Sequence, residues 1–289
     1  VKRPFQFQGN IVSYKTILVH VDHSRHAEAR IRIAAQIAIA ENAHLVGAAM
    51  TGVSRYIYED GVNLSETVIA GQIKHFYQRA EKSLAQFDAI ANSLGVLSFE
   101  RRLVTDEPEG GLALQARYAD LVVVSQPDMD EADSSILSAL PEYVMLNSVR
   151  PVLVIPYAGR FDRIGKRPLI AWDGSMEATR AIANAIPLLK RADNVTVAVF
   201  NPTLQYDMHG QEPGADIALY LARHNVKVDV ARQKTSLDTG NALLSLAADL
   251  HSDLIVMGGY GHSRFREVLL GGVTLTILKT MTAPVLMSH

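Results

Sequence analysis

The chain has 289 residues, enough for two compact domains of about 100 to 150 residues or for one larger α/β domain. Its 30 acidic and 28 basic residues nearly cancel, and no run of Lys or Arg forms a stripe, which excludes the electrostatic footprint of a DNA- or RNA-binding protein. With no cysteine, disulfides, thiolate nucleophiles, iron–sulfur clusters and Cys-based zinc sites are excluded as well.

The opening VKRPFQFQGNIVSYK lacks the apolar core of a signal peptide, and no stretch approaches about 18 uncharged apolar residues. A cytoplasmic protein is expected. In chain order, strand patterns fall near 15 to 21, 44 to 50, 97 to 103, 120 to 125 and 151 to 155. Between them lie helical patterns near 25 to 41, 62 to 94, 109 to 118 and 136 to 148, and Gly71 could divide the second of these in two. After a linker at Tyr157 to Lys166, where glycines and mixed charge interrupt the pattern, strands are expected near 168 to 172, 194 to 200, 226 to 232, 253 to 257 and 284 to 287. Helices are expected near 175 to 190, 211 to 224, 238 to 250 and 272 to 280. In the third of these, Ala242, Leu243, Leu246, Ala247 and Leu250 recur three and four apart, giving one apolar face for the sheet.

The two halves are copies of one unit. Each opens on an apolar strand with an Asp at its exit and a Ser two positions later: Asp22 and Ser24, then Asp173 and Ser175. Each carries Asp-Leu and an apolar run, at 120 to 124 and 253 to 257, and each closes on Pro-Val-Leu, at 151 to 153 and 284 to 286. Matching landmarks in matching order mark a duplicated domain, here 12–157 and 166–289. Strands alternating with helices imply right-handed crossovers, and so two tandem open, mostly parallel five-stranded sheets with helices on both faces, a Rossmann-like α/β architecture. Two such units are expected to pair about a pseudo-two-fold axis, with the Pro-Val-Leu strands as the candidate contact.

The stretch from Met257 to Thr274, MGGYGHSRFREVLLGGVT, follows a strand and places glycines at 258, 261, 271 and 272. A strand emptying into a Gly-rich turn and then a helix gathers unpaired main-chain N–H groups, which suits an anion. Adjacent glycines cost about 1 kcal/mol each inside a helix, so Gly271 and Gly272 are expected at its start. Ligands of open parallel sheets bind beyond the carboxyl ends of the strands, where Asp173 also lies. Amides at 258 to 261 and 272 to 274, with the Thr274 hydroxyl, would hold phosphates. Asp173 would accept from ribose hydroxyls or hold a divalent cation through water, and the main chain at Val199 and Phe200 could read an adenine edge. His262 and Arg264 could reach phosphate from the loop.

Bland readings stand beside these. The glycines could serve positive φ or tight helix–sheet packing, and Asp22, Asp173, Ser24 and Ser175 could be helix caps. His20, among apolar strand residues, reads as a satisfied buried histidine; Trp172 either packs beside the sheet or lines an adenine pocket. There is no GxxxxGK phosphate loop, GGYGHSR fails the dinucleotide pattern at Arg264, and neither HExxH nor GxSxG occurs. No residue stands out to align water against a γ-phosphate, so at most slow ATP hydrolysis is expected.

The spacing Gly258, Gly261, nine residues, Gly271 resembles the nucleotide motif of the universal stress protein family, and the two-domain length resembles its tandem members. Gly272 stands where that motif has Ser or Thr, which removes one phosphate-facing hydroxyl worth about 1 kcal/mol. The resemblance implies ATP, with Mg2+, in the second domain, held by Ala171, Asp173, Val199, Met257, Gly258, Gly261, His262, Arg264, Gly271, Gly272, Val273 and Thr274. It implies a nucleotide-responsive stress or signalling module with a protein partner. In the first half, SQPDMDEADSSILSAL has no glycine and carries Asp128, Asp130, Glu131 and Asp133, so one competent nucleotide site per chain is expected. A ligand-free assembly scaffold and an enzyme acting on an adenylated small molecule are the alternatives; further self-association stays open.

Overall fold

The computed structural model describes residues 13–52, 66–131, 139–202, 212–260 and 272–289, with main chain alone at 66–70 and 72. Ten strands and eight helices lie among them. The first half runs β1 (Thr16–His20), α1 (Ala27–Glu41), β2 (His44–Met50), α2 (Glu66–Leu94), β3 (Phe99–Val104), α3 (Pro108–Ala116), β4 (Leu121–Ser125), α4 (Leu140–Asn147) and β5 (Val152–Ile155). The second runs β6 (Pro168–Ala171), α5 (Met176–Leu189), β7 (Val195–Phe200), α6 (Ala215–Arg223), β8 (Val228–Gln233), α7 (Thr239–Asp249), β9 (Leu254–Gly258), α8 (Gly272–Thr280) and β10 (Val285–Ser288). No helix among the described residues is long and apolar enough to cross a membrane.

The strands form one sheet in the order β3-β2-β1-β4-β5-β10-β9-β6-β7-β8. Each half therefore contributes a doubly wound block, and the expectation of two separate five-stranded sheets is corrected to a single ten-stranded one. The reason lies in the two closing strands. β5 and β10 are buried along their whole length, and as open edges they would each expose a row of unpaired main-chain groups on an apolar strand. They pair with each other instead. This is the one antiparallel seam in an otherwise parallel sheet.

Helices cover both faces, as a parallel sheet requires. One apolar layer joins α1, α2 and α5 to the sheet through Ile31, Ala34, Phe87, Ala181, Ile182 and Val197. The other is built under α3, α4, α7 and α8 by Leu112, Val144, Met145, Leu243 and Ile277. α2 is one continuous helix of 29 residues that runs through Gly71 without a break. The space around that glycine is open, so its cost is entropic alone, about 1 kcal/mol, and burial of Leu84, Phe87 and Ala91 along the same helix outweighs it.

Candidate nucleotide crevice

In each half the strand order reverses between the first and fourth strands, at β1/β4 and at β6/β9. At such a switch point the connecting helices leave to opposite faces and open a crevice beyond the strand ends. The two crevices are built alike and filled differently.

In the second half, β6 ends at Ala171 and the chain turns through Trp172, Asp173 and Gly174, whose φ is +77°. The Asp173 carboxylate accepts from the Ser175 amide at 2.9 Å, and Ser175 caps α5 by accepting from the Ala178 amide at 3.1 Å. Trp172 is partly buried against the core, and its amide donates to the Ala198 carbonyl of β7. Across the crevice, β9 closes on Met257, which is buried, and Gly258. A Cβ at Gly258 would stand 2.6 Å from the Ala178 nitrogen and 2.8 Å from the Glu177 carbonyl carbon. Glycine here lets the strand end lie against the first turn of α5, as the packing reading of that residue requires.

α8 begins at Gly272, which is exposed and would have open space around a Cβ. Its first-turn amides lack helical partners by construction. Val273 is partly buried, and Thr274 is 3% exposed. The Thr274 hydroxyl accepts from the Tyr260 amide at 3.2 Å, so it ties together the two ends of the segment between β9 and α8. Gly261, His262, Arg264 and Gly271 lie outside the described residues. Val199 is fully buried within β7, opposite Arg232 of β8. Beside it, Asn201 takes a left-handed φ of +48° and brackets Thr235, donating to its carbonyl at 3.1 Å and accepting from its amide at 2.9 Å. Sequence reading passed over Asn201; an Asn followed by Pro at a strand exit was the available signal.

In the first half the same crevice holds the protein's own charges. Asp22 accepts from the Ser24 amide at 3.0 Å and the Ser24 hydroxyl at 2.7 Å. It also receives a guanidinium nitrogen of Arg30 at 2.9 Å. Arg30 is 1% exposed and also donates to the His20 carbonyl at 2.8 Å and to the Ser125 hydroxyl at 2.7 Å. Ser125 stands where the second half has Gly258, and Arg30 where it has Ala181. Burial disfavours the Asp22 carboxylate, but Arg30, His20 and Ser24 overcome this and hold it well below the usual carboxylate range. Ser24 is thereby committed to Asp22, and α1 starts at Ala27 without a side-chain cap.

At the start of the acidic loop after β4, two carboxylates pair with the turn before α1. Asp128, 7% exposed, accepts from His26 at 2.8 Å and from Arg25, while the Arg25 amide donates to Glu131 at 2.8 Å. The His26 hydrogen bond lowers the Asp128 pKa to about 2 against the opposing effect of burial, with the Asp130 amide and Arg25 adding to the shift. Sequence reading expected Asp128 and Glu131 to repel a polyphosphate; in the structure both are paired with Arg25, and Asp128 with His26 as well.

Sequence reading did not anticipate a cavity of about 310 Å³ beyond the carboxyl ends of β1 and β2, lined in part by Asp22, so the first-half crevice is filled on its β4 side and open on its β2 side. Val21, Met50, Phe76, Ala80 and Pro108 give it an apolar wall, and His20, Asp22, Glu107 and Glu109 contribute polar groups. Burial, then the neighbouring Glu107, raises the Glu109 pKa. Arg79 and His23 line the same cavity, so its wall carries both signs of charge.

Residues 166–289 match the model of the Universal stress protein family. A search of curated proteins gave no match. Among solved structures, a universal stress protein from Archaeoglobus fulgidus DSM 4304 is 15% identical, with 94% of each chain covered and a TM-score of 0.70. A functionally unknown protein from Pseudomonas aeruginosa PAO1 is 16% identical over 94% of this chain and 92% of that one, with a TM-score of 0.54. A universal stress protein in complex with cAMP is 25% identical over 50% of this chain and 97% of its own, with a TM-score of 0.36. The chain therefore has a tandem universal stress protein fold, two doubly wound units sharing one mixed sheet.

Proposed function

We propose that this protein binds ATP with Mg2+ in the crevice of its second half and acts as a nucleotide-responsive stress or signalling module. The observation that carries the reading is the contrast between the two switch points. One is occupied on its β4 side by Arg30, Asp22 and Asp128; the other has an alanine in place of the arginine, a glycine in place of Ser125, and Asp173 beside the N-terminus of α5. Helix N-termini favour phosphate, and a carboxylate one strand away favours ribose hydroxyls or a cation. The match of residues 166–289 to the family model supports the same half.

The donor set fits a nucleotide. Amides of the first turn of α8 and those of the loop through Gly261 would hold the phosphates, with His262 and Arg264 as added cations, and Asp173 would face the ribose. Among the described residues no group of three or more His, Asp or Glu could hold a metal ion. Mg2+ would therefore arrive on the phosphates and meet Asp173 through water. Domain limits of 12–157 and 166–289 follow from the repeat. Among the described residues no group is identified that would align water against a γ-phosphate, so the reading is nucleotide binding with at most slow hydrolysis.

Calorimetric titration of nucleotide-stripped protein with ATP and magnesium tests this. Saturable binding is expected, weakened at least tenfold by Gly261→Val and unchanged by Asp130→Ala in the first-half loop. No saturation up to millimolar ATP, or equal loss in both variants, would overturn it.

A further inference from the structure

The two main-chain positions that launch the second-half loop rest on a helix of the first half. Gly259 has no positive φ, so its backbone would accept any residue. A Cβ there would nevertheless collide with the sulfur of Met145 and come within 3.0 Å of its Cε. Met145 is 1% exposed and belongs to α4. A side chain at 259 would thus have to displace the Met145 thioether of the neighbouring half, while its own conformation sets no such limit. The Gly259 amide donates to the Ser288 carbonyl at 2.9 Å, and its carbonyl pairs with the His289 ring at 3.0 Å. Main chain is pinned from one side by β10 and pressed from the other by α4.

Tyr260 follows in a left-handed conformation, φ +59°, which costs a non-glycine residue about 1 kcal/mol or more. It persists only where its surroundings hold it. Its amide is held by Thr274, and its ring packs with the same apolar layer as Met145. Its hydroxyl is buried without a well-formed hydrogen bond among the described residues. Burial raises its pKa, and the Glu142 carboxylate of α4 raises it further. The helix that follows the segment is also tied to the first half, at its last turn. Gln126, just after β4, donates to the Leu278 carbonyl of α8 at 2.9 Å and accepts from the Tyr157 amide at 3.3 Å.

We propose that the first half fixes the chain on either side of the proposed nucleotide site: Met145 of α4 bears on Gly259, where the chain leaves β9, and Gln126 ties down α8, the helix to which it returns. This rests on the proposed nucleotide site and assigns its regulation to the half whose own crevice is filled on its β4 side. By linkage, whatever displaces α4 changes nucleotide affinity, and nucleotide binding reports back to α4 by the same factor.

The test is a steric exchange in the full chain, read first without nucleotide. Hydrogen exchange at residues 259–260 and 272–278 is expected to rise at least tenfold in Gly259→Ala and in Gln126→Ala. It should return towards the starting rate when Met145→Ala is combined with Gly259→Ala, because the smaller side chain makes room for the added methyl. Exchange in β1 and β2 serves as the folding control. Where ATP binds, the same variants should weaken it in proportion to the exchange, with the double variant rescued. Unchanged exchange in Gly259→Ala and Gln126→Ala, or no rescue by Met145→Ala, overturns the proposal. Altered and rescued exchange in a protein that binds no ATP would leave the coupling in place and refute only the nucleotide reading.

Discussion

Leu153 and Leu286 face each other in the antiparallel seam, and they are the same position in the two copies of the unit, 133 residues apart. Val154 pairs with Val285, and Val152 with Met287, so the register is symmetric about that leucine pair. A self-complementary contact of this kind is what two identical units form about a two-fold axis. Here duplication has placed both partners on one chain.

The seam predicts the behaviour of a half. A fragment of residues 166–289 retains β10 with its apolar edge bare, and the pairing it lost is one that a second copy can supply. Light scattering should find it dimeric or aggregated, and Leu286→Lys should make it monomeric while lowering its stability. A monomeric fragment as stable as the intact chain would show that the seam is dispensable.

Arg30 should be among the costliest side chains to remove. Its guanidinium is the charge partner of the buried Asp22 and also satisfies the His20 carbonyl and the Ser125 hydroxyl. Arg30→Met leaves that carboxylate buried without its cation, a loss of about 3 to 5 kcal/mol. Urea unfolding should show it, and adding Asp22→Asn should recover a large part. A change below about 1 kcal/mol would contradict the network.

Stability should fall as pH drops through the range set by His20. Burial lowers its pKa from 6.5 to about 4, against the attraction of Asp22. The unfolded chain takes up this proton near pH 6.5 and the folded chain only near 4, so the unfolded state binds more protons between them. The contribution is complete above pH 6.5 and is lost progressively down to about 4, by about 3 kcal/mol in total. Asp22 and Asp128 act lower: with depressed values they stabilise above the usual carboxylate pKa near 3.8 and lose that contribution as pH falls further. Chemical unfolding at pH 4.5 and pH 7 should therefore show a smaller difference in His20→Phe than in the parent protein. Equal differences would remove His20 from the account.

The repeated strand–Asp–x–Ser–helix pattern was legible because it is local: a buried parallel strand must be apolar, and the residues at its exit must turn and cap. The same logic recovered the order of all ten strands. Gly258 was legible as a special position but not in its reason, since only the folded chain brings the first turn of α5 against it. Arg30 was not legible at all. On a helical pattern of Ile and Ala it reads as a solvated face, and it becomes the most buried cation among the described residues of its half because His20 and Asp22 at the end of β1 and Ser125 at the end of β4 converge on it.

The sequence by itself determined the repeat, the α/β class and the half that can present glycine-rich main chain to an anion, since these follow from periodicity and backbone freedom. The tertiary structure alone decided that the two blocks join in one continuous sheet, that Arg30 turns inward between β1 and β4, and that Met145 of one half lies against Gly259 of the other. Those outcomes depend on contacts between residues about 100 positions or more apart, which no local pattern encodes.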